Sequence, residues 1–181
     1  MSVAEYVNGA RLCHSNGLNE SSLALLLLAV AATARKRYPK GKYTDRKAFE
    51  TFLLDEMKAG NFFGPHCQTG VSMMWKGLET TLEAILYDLR CCLTHEAVLH
   101  PQVVYDPVQD PKIFVLRIDQ QGRLVFQDSL LECMIKCVHN VRENAGELSP
   151  MPFTKTQAGT LKTASRKYRI IISESVGLPL P

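Results

Sequence analysis

Apolar residues recur at steps of three and four along much of the first 100 residues, which is the period of α-helices. The pattern predicts a first helix over residues 2–13 and a second over 19–38, with Asn19 as the N-cap of the second. Residues 25–32 are apolar on every side of that helix. We therefore expect the second helix to lie at the centre of the fold.

Two further helices are predicted before residue 100. The third begins at Thr44 and ends at Gly60, with apolar residues at helical spacing between them. A loop over 61–70 separates it from a long fourth helix over 71–98. The apolar stripe of the fourth helix consists of Leu82, Ile85, Leu86, Leu89 and Leu93.

The period changes to that of β-strands after the fourth helix. Two β-rich runs, 113–118 and 123–127, flank the sequence Asp-Gln-Gln-Gly, which is typical of a tight turn. We therefore predict a β-hairpin over residues 113–127. A further strand is predicted over 168–172.

A fifth helix is predicted after the hairpin. Ser129 and Glu132 have the spacing of a capping box, and the helix is expected to end before Gly146. The fold class is therefore mainly α, a helical bundle that carries a β-hairpin before its last helix. We expect residues 1–146 to form one helical domain and residues 147–181 to form a partly loose C-terminal extension.

Composition narrows the class of protein. The chain has 181 residues, of which 46% are hydrophobic and 22% are charged. These values exclude a mainly disordered chain, a collagen and a coiled-coil rod. The longest apolar run, residues 23–32, is shorter than the roughly 20 residues that span a bilayer. Basic residues follow this run, whereas a secretory signal has them before it, so we expect a cytoplasmic protein without a membrane partner.

The six cysteines give a weak indication of zinc. Cys-His and Cys-Cys neighbours such as His66-Cys67 are possible ligands, but the paired Cys-x2-Cys spacing of a structural zinc module is absent. His66 and Cys67 are also a possible nucleophile pair, although adjacent residues seldom point at each other. We therefore expect reduced thiols, no bound metal and no cofactor.

The net charge of +3 is uninformative, but its distribution is uneven. Seven of the 21 Lys and Arg residues lie between residues 35 and 47, with Tyr38 and Tyr43 among them. Such a cluster is typical of a surface that follows RNA phosphates, and equally of a solvated helix end. The RNA-binding candidates are Arg35, Lys36, Arg37, Lys40 and Lys42.

Arg90 and His95, at the end of the fourth helix, are the pair best suited to chemistry. Arg binds phosphate through a planar fork, and His exchanges protons near neutral pH. Together they would promote attack of a ribose 2′-hydroxyl on the adjacent phosphate without a metal. The simpler alternative is a structural Arg paired with Asp88 or Glu96, next to an unrelated His.

Helix geometry limits how the pair can act. Residues five apart on a straight α-helix point about 140° away from each other. Arg90 and His95 therefore form a site only if the helix unwinds before His95, or if two copies of the chain pack these helices across a two-fold axis.

Three segments together resemble the HEPN superfamily, whose signature is Arg, four to six residues, then His near the end of a long helix. The residues from Arg90 to His95 match this signature. Residues 25–38 and 45–49 resemble the early core helix and the following segment of a bacterial and plasmid-borne HEPN branch. The resemblance covers roughly residues 1–100.

The resemblance implies a four- to five-helix bundle that dimerises through its motif helices, here the helix over 71–98. It implies a metal-independent endoribonuclease with Arg90 and His95 as catalytic residues in each protomer, acting as a toxin or in phage defence. An antitoxin or another regulatory protein is a possible partner. Glu96 is a candidate to orient a histidine or pair with an arginine beside the site.

Two positions depart from the family pattern. The residue after the Arg is usually a polar Asn, Asp or His, and here it is Cys91, a poor hydrogen-bonding substitute. Ala97 stands where toxins controlled by adenylylation have a Tyr. Two alternatives to a nuclease therefore stay open. One is a catalytically silent dimer that binds RNA, nucleotide or a protein, and the other is a helical adaptor.

Overall fold

A computed structural model describes residues 1–61, 72–96, 98–106 and 117–148. These residues form a mainly helical fold, as predicted. The α-helices are α1 (Val3–Ser15), α2 (Asn19–Arg37), α3 (Asp45–Lys58), α4 (Leu82–Cys91) and α5 (Asp128–His139). A π-helical turn covers Cys92–Glu96, and a 3-10 turn covers Arg142–Asn144.

The central position of α2 is confirmed. This helix packs against α1, α3, α4 and α5. Its fully buried side chains include Leu23, Leu26, Leu27 and Val30, which join one core with Phe49 and Phe52 of α3 and Leu86 of α4. An apolar surface on all sides is what a helix surrounded by four others requires.

The predicted start of the fourth helix is wrong. Residues 72–81 form a β-hairpin of β1 (Ser72–Trp75) and β2 (Leu78–Thr81), and α4 starts only at Leu82. Lys76 and Gly77 make the turn with φ values of 52° and 77°. This left-handed backbone matches the twist of a two-residue hairpin and is incompatible with a helix.

The predicted 113–127 hairpin is confirmed where the structure describes it. The strands β4 (Arg117–Ile118) and β5 (Leu124–Phe126) pair antiparallel. Asp119 stabilises the turn by accepting hydrogen bonds from the backbone N–H groups of Gln121 and Arg123, both at 2.9 Å. A third strand, β3 (Val103–Tyr105), pairs parallel with β5 and was not predicted.

Two predicted helix caps are wrong. Leu18, and not Asn19, is the N-cap of α2, since Asn19 is already the first residue of the helix. The Asn19 side chain lies 2.9 Å from His14 Nδ1 instead of capping the helix. Helix α5 begins one residue before Ser129, with Gln127 as N-cap and no side-chain cap bond. The Ser129 hydroxyl is buried instead of capping the helix. Helix α3 begins where predicted: Thr44 is its N-cap, and the Thr44 hydroxyl accepts a bond from the Lys47 N–H at 3.2 Å.

The chain after α5 is tied to α2 by a buried polar side chain. Asn144 is fully buried, and its amide donates to Thr33 Oγ1 at 2.9 Å and to the Val138 carbonyl at 2.7 Å. Glu147 accepts from the Val3 N–H at 2.9 Å, and Leu148 packs on the core. Packed structure thus extends through Leu148, two residues beyond the expected domain. The remaining extension, with the predicted strand over 168–172, lies outside the described residues.

Candidate functional site

The helix that carries Arg90 and His95 changes form between them. After Cys91 the α-helix widens into the π turn over Cys92–Glu96. Hydrogen bonds in a π turn join residues five apart, so the wider turn reduces the 140° offset expected of a straight helix. One of the two arrangements that would bring the residues together, a helix that unwinds before His95, thus has a counterpart in this π turn.

Thr94 stabilises this transition. Widening the helix releases backbone carbonyls from their usual i to i+4 partners. The Thr94 hydroxyl donates to the Arg90 carbonyl at 2.7 Å and lies 3.4 Å from the Cys91 carbonyl. A Thr hydroxyl bonded one turn back bends a helix, which is the distortion seen here.

Arg90 is half-buried and lies close to an aromatic ring. Its guanidinium carbon is 5.7 Å from the ring centroid of Tyr87, one turn earlier on the same face of α4. Its Nε is enclosed but has no hydrogen-bond partner in the part of the chain that the structure describes. Among the described contacts no ion pair joins Arg90 to Asp88 or Glu96, which the structural alternative required.

The basic cluster meets the motif helix at Asp45. Arg35 bonds to the Asp45 carboxylate and lowers the pKa of that group, and the nearby charges of Arg90 and Lys40 lower it further. The charges of Arg35 and Lys40, and the charge of Arg90 from a distant part of the sequence, therefore all act on the carboxylate at the start of α3. Sequence spacing alone gave no indication of this juxtaposition.

The five RNA-binding candidates divide into two groups. Arg35, Lys36 and Arg37 hold the fold together by ion pairs within the chain. Lys40 and Lys42 lie in the turn between α2 and α3 and are exposed.

The charges of Lys36 and Arg37 are directed inward. Lys36 contacts Glu147 and donates to Asn144 Oδ1 at 2.9 Å. Arg37 lies between Glu56 and Glu143, at 2.7 and 2.8 Å, and these carboxylates raise the pKa of its guanidinium. These two residues therefore fit neither the phosphate-binding surface nor the solvated helix end, because their charges are taken up by ion pairs within the chain.

The side chains beside the motif occupy different positions. Cys91 is half-buried, and the pKa of the neighbouring Tyr87 is raised by burial and then by Cys91. Glu96 is exposed, and its charge acts on Cys92 and His100. His95 is exposed as well, and within the described residues no hydrogen bond or ion pair joins it to Arg90 or Glu96.

Sequence reasoning missed Tyr87 and Arg46. The Arg46 guanidinium carbon is 5.4 Å from the Tyr87 ring centroid. The Tyr87 ring therefore lies close to two guanidinium groups, Arg46 of α3 and Arg90 of α4. The available signal was the i to i+3 spacing of Tyr87 and Arg90, but the contact from α3 is tertiary. His66, Cys67 and Ala97 lie outside the described residues.

The described residues contain no recognisable metal-binding cluster. No group of three or more His, Cys, Asp or Glu residues among them has an arrangement that would hold a metal ion. No helix in the described ranges is long and apolar enough to cross a membrane. A cavity of about 330 Å³ lies at the turn between α1 and α2, and its lining of residues 17–21 and Tyr105 contains none of the predicted site residues.

Comparison with protein-family models, with curated proteins and with solved structures gave no match.

Proposed function

We propose that this protein is a metal-independent endoribonuclease of HEPN type. One observation carries the proposal: the motif helix widens into a π turn between Arg90 and His95, and Arg90 lies beside the same Tyr87 ring as Arg46 of α3. π turns within α-helices are frequent at functional sites. The resemblance of the Arg90–His95 segment to the HEPN signature supports the same conclusion.

The chemistry follows from the two residue types. The ribose 2′-oxygen attacks the adjacent phosphorus while a His95 imidazole accepts its proton. The bond from phosphorus to the 5′-oxygen breaks, and that oxygen takes a proton from an imidazolium. Arg90 stabilises the charge that develops on the phosphoryl oxygens. The products are a 2′,3′-cyclic phosphate and a 5′-hydroxyl.

The proposed site is composite. Two protomers would pack α4 and the π turn across a two-fold axis, so that two Arg90–His95 pairs line one cleft. His95 is exposed, as a residue that meets a second chain and a substrate must be before assembly. By the resemblance, the protein would act as a toxin or phage-defence factor under the control of an antitoxin or another protein.

The test is RNA cleavage by the purified full chain in the presence of a chelator, with the product ends mapped. We expect cyclic phosphate and 5′-hydroxyl ends, produced by the wild type and by a His139→Ala control but not by His95→Ala. His139 is a suitable control because it is partly exposed at the end of a different helix. Cleavage that requires added metal, or that survives in His95→Ala, would exclude this mechanism.

A second function is favoured by Cys91. It stands where the HEPN family has a polar residue that arranges the site. We infer as the alternative a silent dimer that binds RNA without cutting it. RNA retention that depends on Arg90, with intact RNA recovered from the wild type, would support this alternative over the nuclease.

A further inference from the structure

The surface beside Arg90 contains a second arginine whose position is fixed by the same ring. Arg46 lies in the first turn of α3 and Arg90 in the last turn of α4. Their guanidinium carbons are 5.4 and 5.7 Å from the centroid of Tyr87. Phe49 packs edge-on against that ring at 5.6 Å, so the ring is supported from the core side.

Arg46 is the more accessible of the two. Its side chain is 52% exposed, and it pairs with Glu50 at 2.7 Å and with Asp88 at 3.7 Å. Surface ion pairs of this kind are worth about 0–1 kcal/mol. A phosphate that approaches Arg46 therefore replaces weak partners, and Arg offers it a planar fork of donors.

We propose that Arg46 binds a second phosphate of the RNA strand, next to the phosphate that Arg90 contacts. This inference rests on the proposed function and extends it: the substrate is a strand with phosphates beyond the scissile one, not a mononucleotide. Tyr87 is a positioning residue that keeps the two guanidinium groups on one surface.

The chain contains a matched control for Arg46. Arg123 is also partly exposed, at 39%, and pairs at 2.8 Å with a carboxylate four residues away, Asp119. It lies beside the β4–β5 hairpin turn, away from the α3–α4 surface. Arg46→Ala and Arg123→Ala thus remove the same charge and the same kind of ion pair.

The experiment measures binding of a short single-stranded RNA whose riboses all carry 2′-O-methyl groups, so that it cannot be cut. Dissociation constants are measured over a range of salt concentrations for the wild type, Arg46→Ala, Arg46→Lys and Arg123→Ala. For single strands, each phosphate contact contributes about 0.7 to the slope of log affinity against log salt. We expect Arg46→Ala to flatten the slope by about 0.7 and to weaken binding about fivefold.

The control variants define what overturns the inference. Arg46→Lys retains the charge and is expected to keep the slope, and Arg123→Ala is expected to match the wild type. An Arg46→Ala slope equal to the wild type, or an equal flattening in Arg123→Ala, would refute the contact while leaving the nuclease intact. Failure of the wild type to bind the probe or cleave ordinary RNA would instead refute the proposed function.

Discussion

Thr94 shows how one hydroxyl can decide the geometry of a site. Its bond of 2.7 Å to the Arg90 carbonyl satisfies an acceptor that the π turn releases. Without that bond, the Arg90 carbonyl loses a hydrogen-bond donor, and the widened backbone between Arg90 and His95 is less stable.

We therefore predict that Thr94→Val lowers the cleavage rate constant about tenfold, the effect of a hydrogen bond worth roughly 1.4 kcal/mol. Thr94→Ser keeps the hydroxyl and is expected to retain most of the activity, which separates bonding from side-chain shape. Single-turnover cleavage of a defined RNA measures both. Equal rates in Thr94→Val and the wild type would show that the hydroxyl does not position His95.

Asn144 stabilises the fold through hydrogen bonds of its buried side chain. Its buried amide joins the end of the described chain to Thr33 of α2 and to the Val138 carbonyl of α5. We predict that Asn144→Leu lowers the free energy of unfolding by roughly 1–3 kcal/mol, because a buried acceptor loses its partner.

Urea denaturation at neutral pH checks this prediction. Asn140→Leu is the matched control, since Asn140 is exposed at the C-cap of α5 and is expected to change stability by less than about 0.5 kcal/mol. Similar losses in the two variants would argue against a special role for the Asn144 network.

The residues that sequence could identify were those with distinctive chemistry and spacing. Arg90 and His95 stand out by type and by their place in the helix. Tyr87 and Arg46 do not, because their contact arises when α3 packs on α4. The ion pairs of Lys36 with Glu147 and of Arg37 with Glu143 were not predictable either, because these carboxylates lie more than 100 residues away in the sequence.

At the scale of elements, the main departure from the sequence prediction is the hairpin before α4. Residues 72–81 contain apolar positions that also fit a helix, so periodicity alone did not separate the two structures. The sequence feature that favours the hairpin is Gly77, because two-residue hairpin turns need positive φ and glycine adopts it easily. In the structure both Lys76 and Gly77 have positive φ. The core helices were predictable because their apolar periods are long and uninterrupted.

The contact between α2 and the chain after α5 makes stability depend on pH. Arg37 lowers the pKa of Glu143, and Lys36 lowers that of Glu147, from an ordinary value of 4.5. Each carboxylate therefore stabilises the fold above about pH 4.5, and that contribution is lost as pH falls through the lowered pKa. Glu143→Gln removes one such group.

We predict that the wild type loses more stability than Glu143→Gln between pH 7 and about pH 3, a range that extends below the ordinary pKa of the carboxylate. The urea midpoint of each protein at both pH values measures the difference. Parallel declines would show that the Arg37–Glu143 pair does not contribute to acid sensitivity.

At the scale of the whole molecule, the basic residues between 35 and 47 fall into two groups. Some form ion pairs that hold the helices together, and others, such as Arg46, lie on the surface beside Arg90. A dimer would place two such surfaces on either side of one cleft, which doubles the positive charge that a phosphate strand meets.

A composite site would make activity depend on assembly. We predict that cleavage per protein molecule falls when the protein is diluted until it dissociates, because each monomer then holds half of a site. Sedimentation and cleavage rates measured over the same concentrations check this. Undiminished activity of a protein that sediments as a monomer at every concentration would contradict a shared cleft.

Whether Arg90 and His95 act together in metal-independent cleavage is tested most directly by single-turnover rates. These are measured on RNA in chelator for the wild type, Arg90→Ala, His95→Ala and the double variant. Residues that act together in one step lose activity non-additively. We predict that each single variant abolishes most cleavage and that the double variant is no worse than the weaker single one. Cleavage that persists in either single variant, or independent losses that multiply in the double variant, would contradict a joint role for Arg90 and His95.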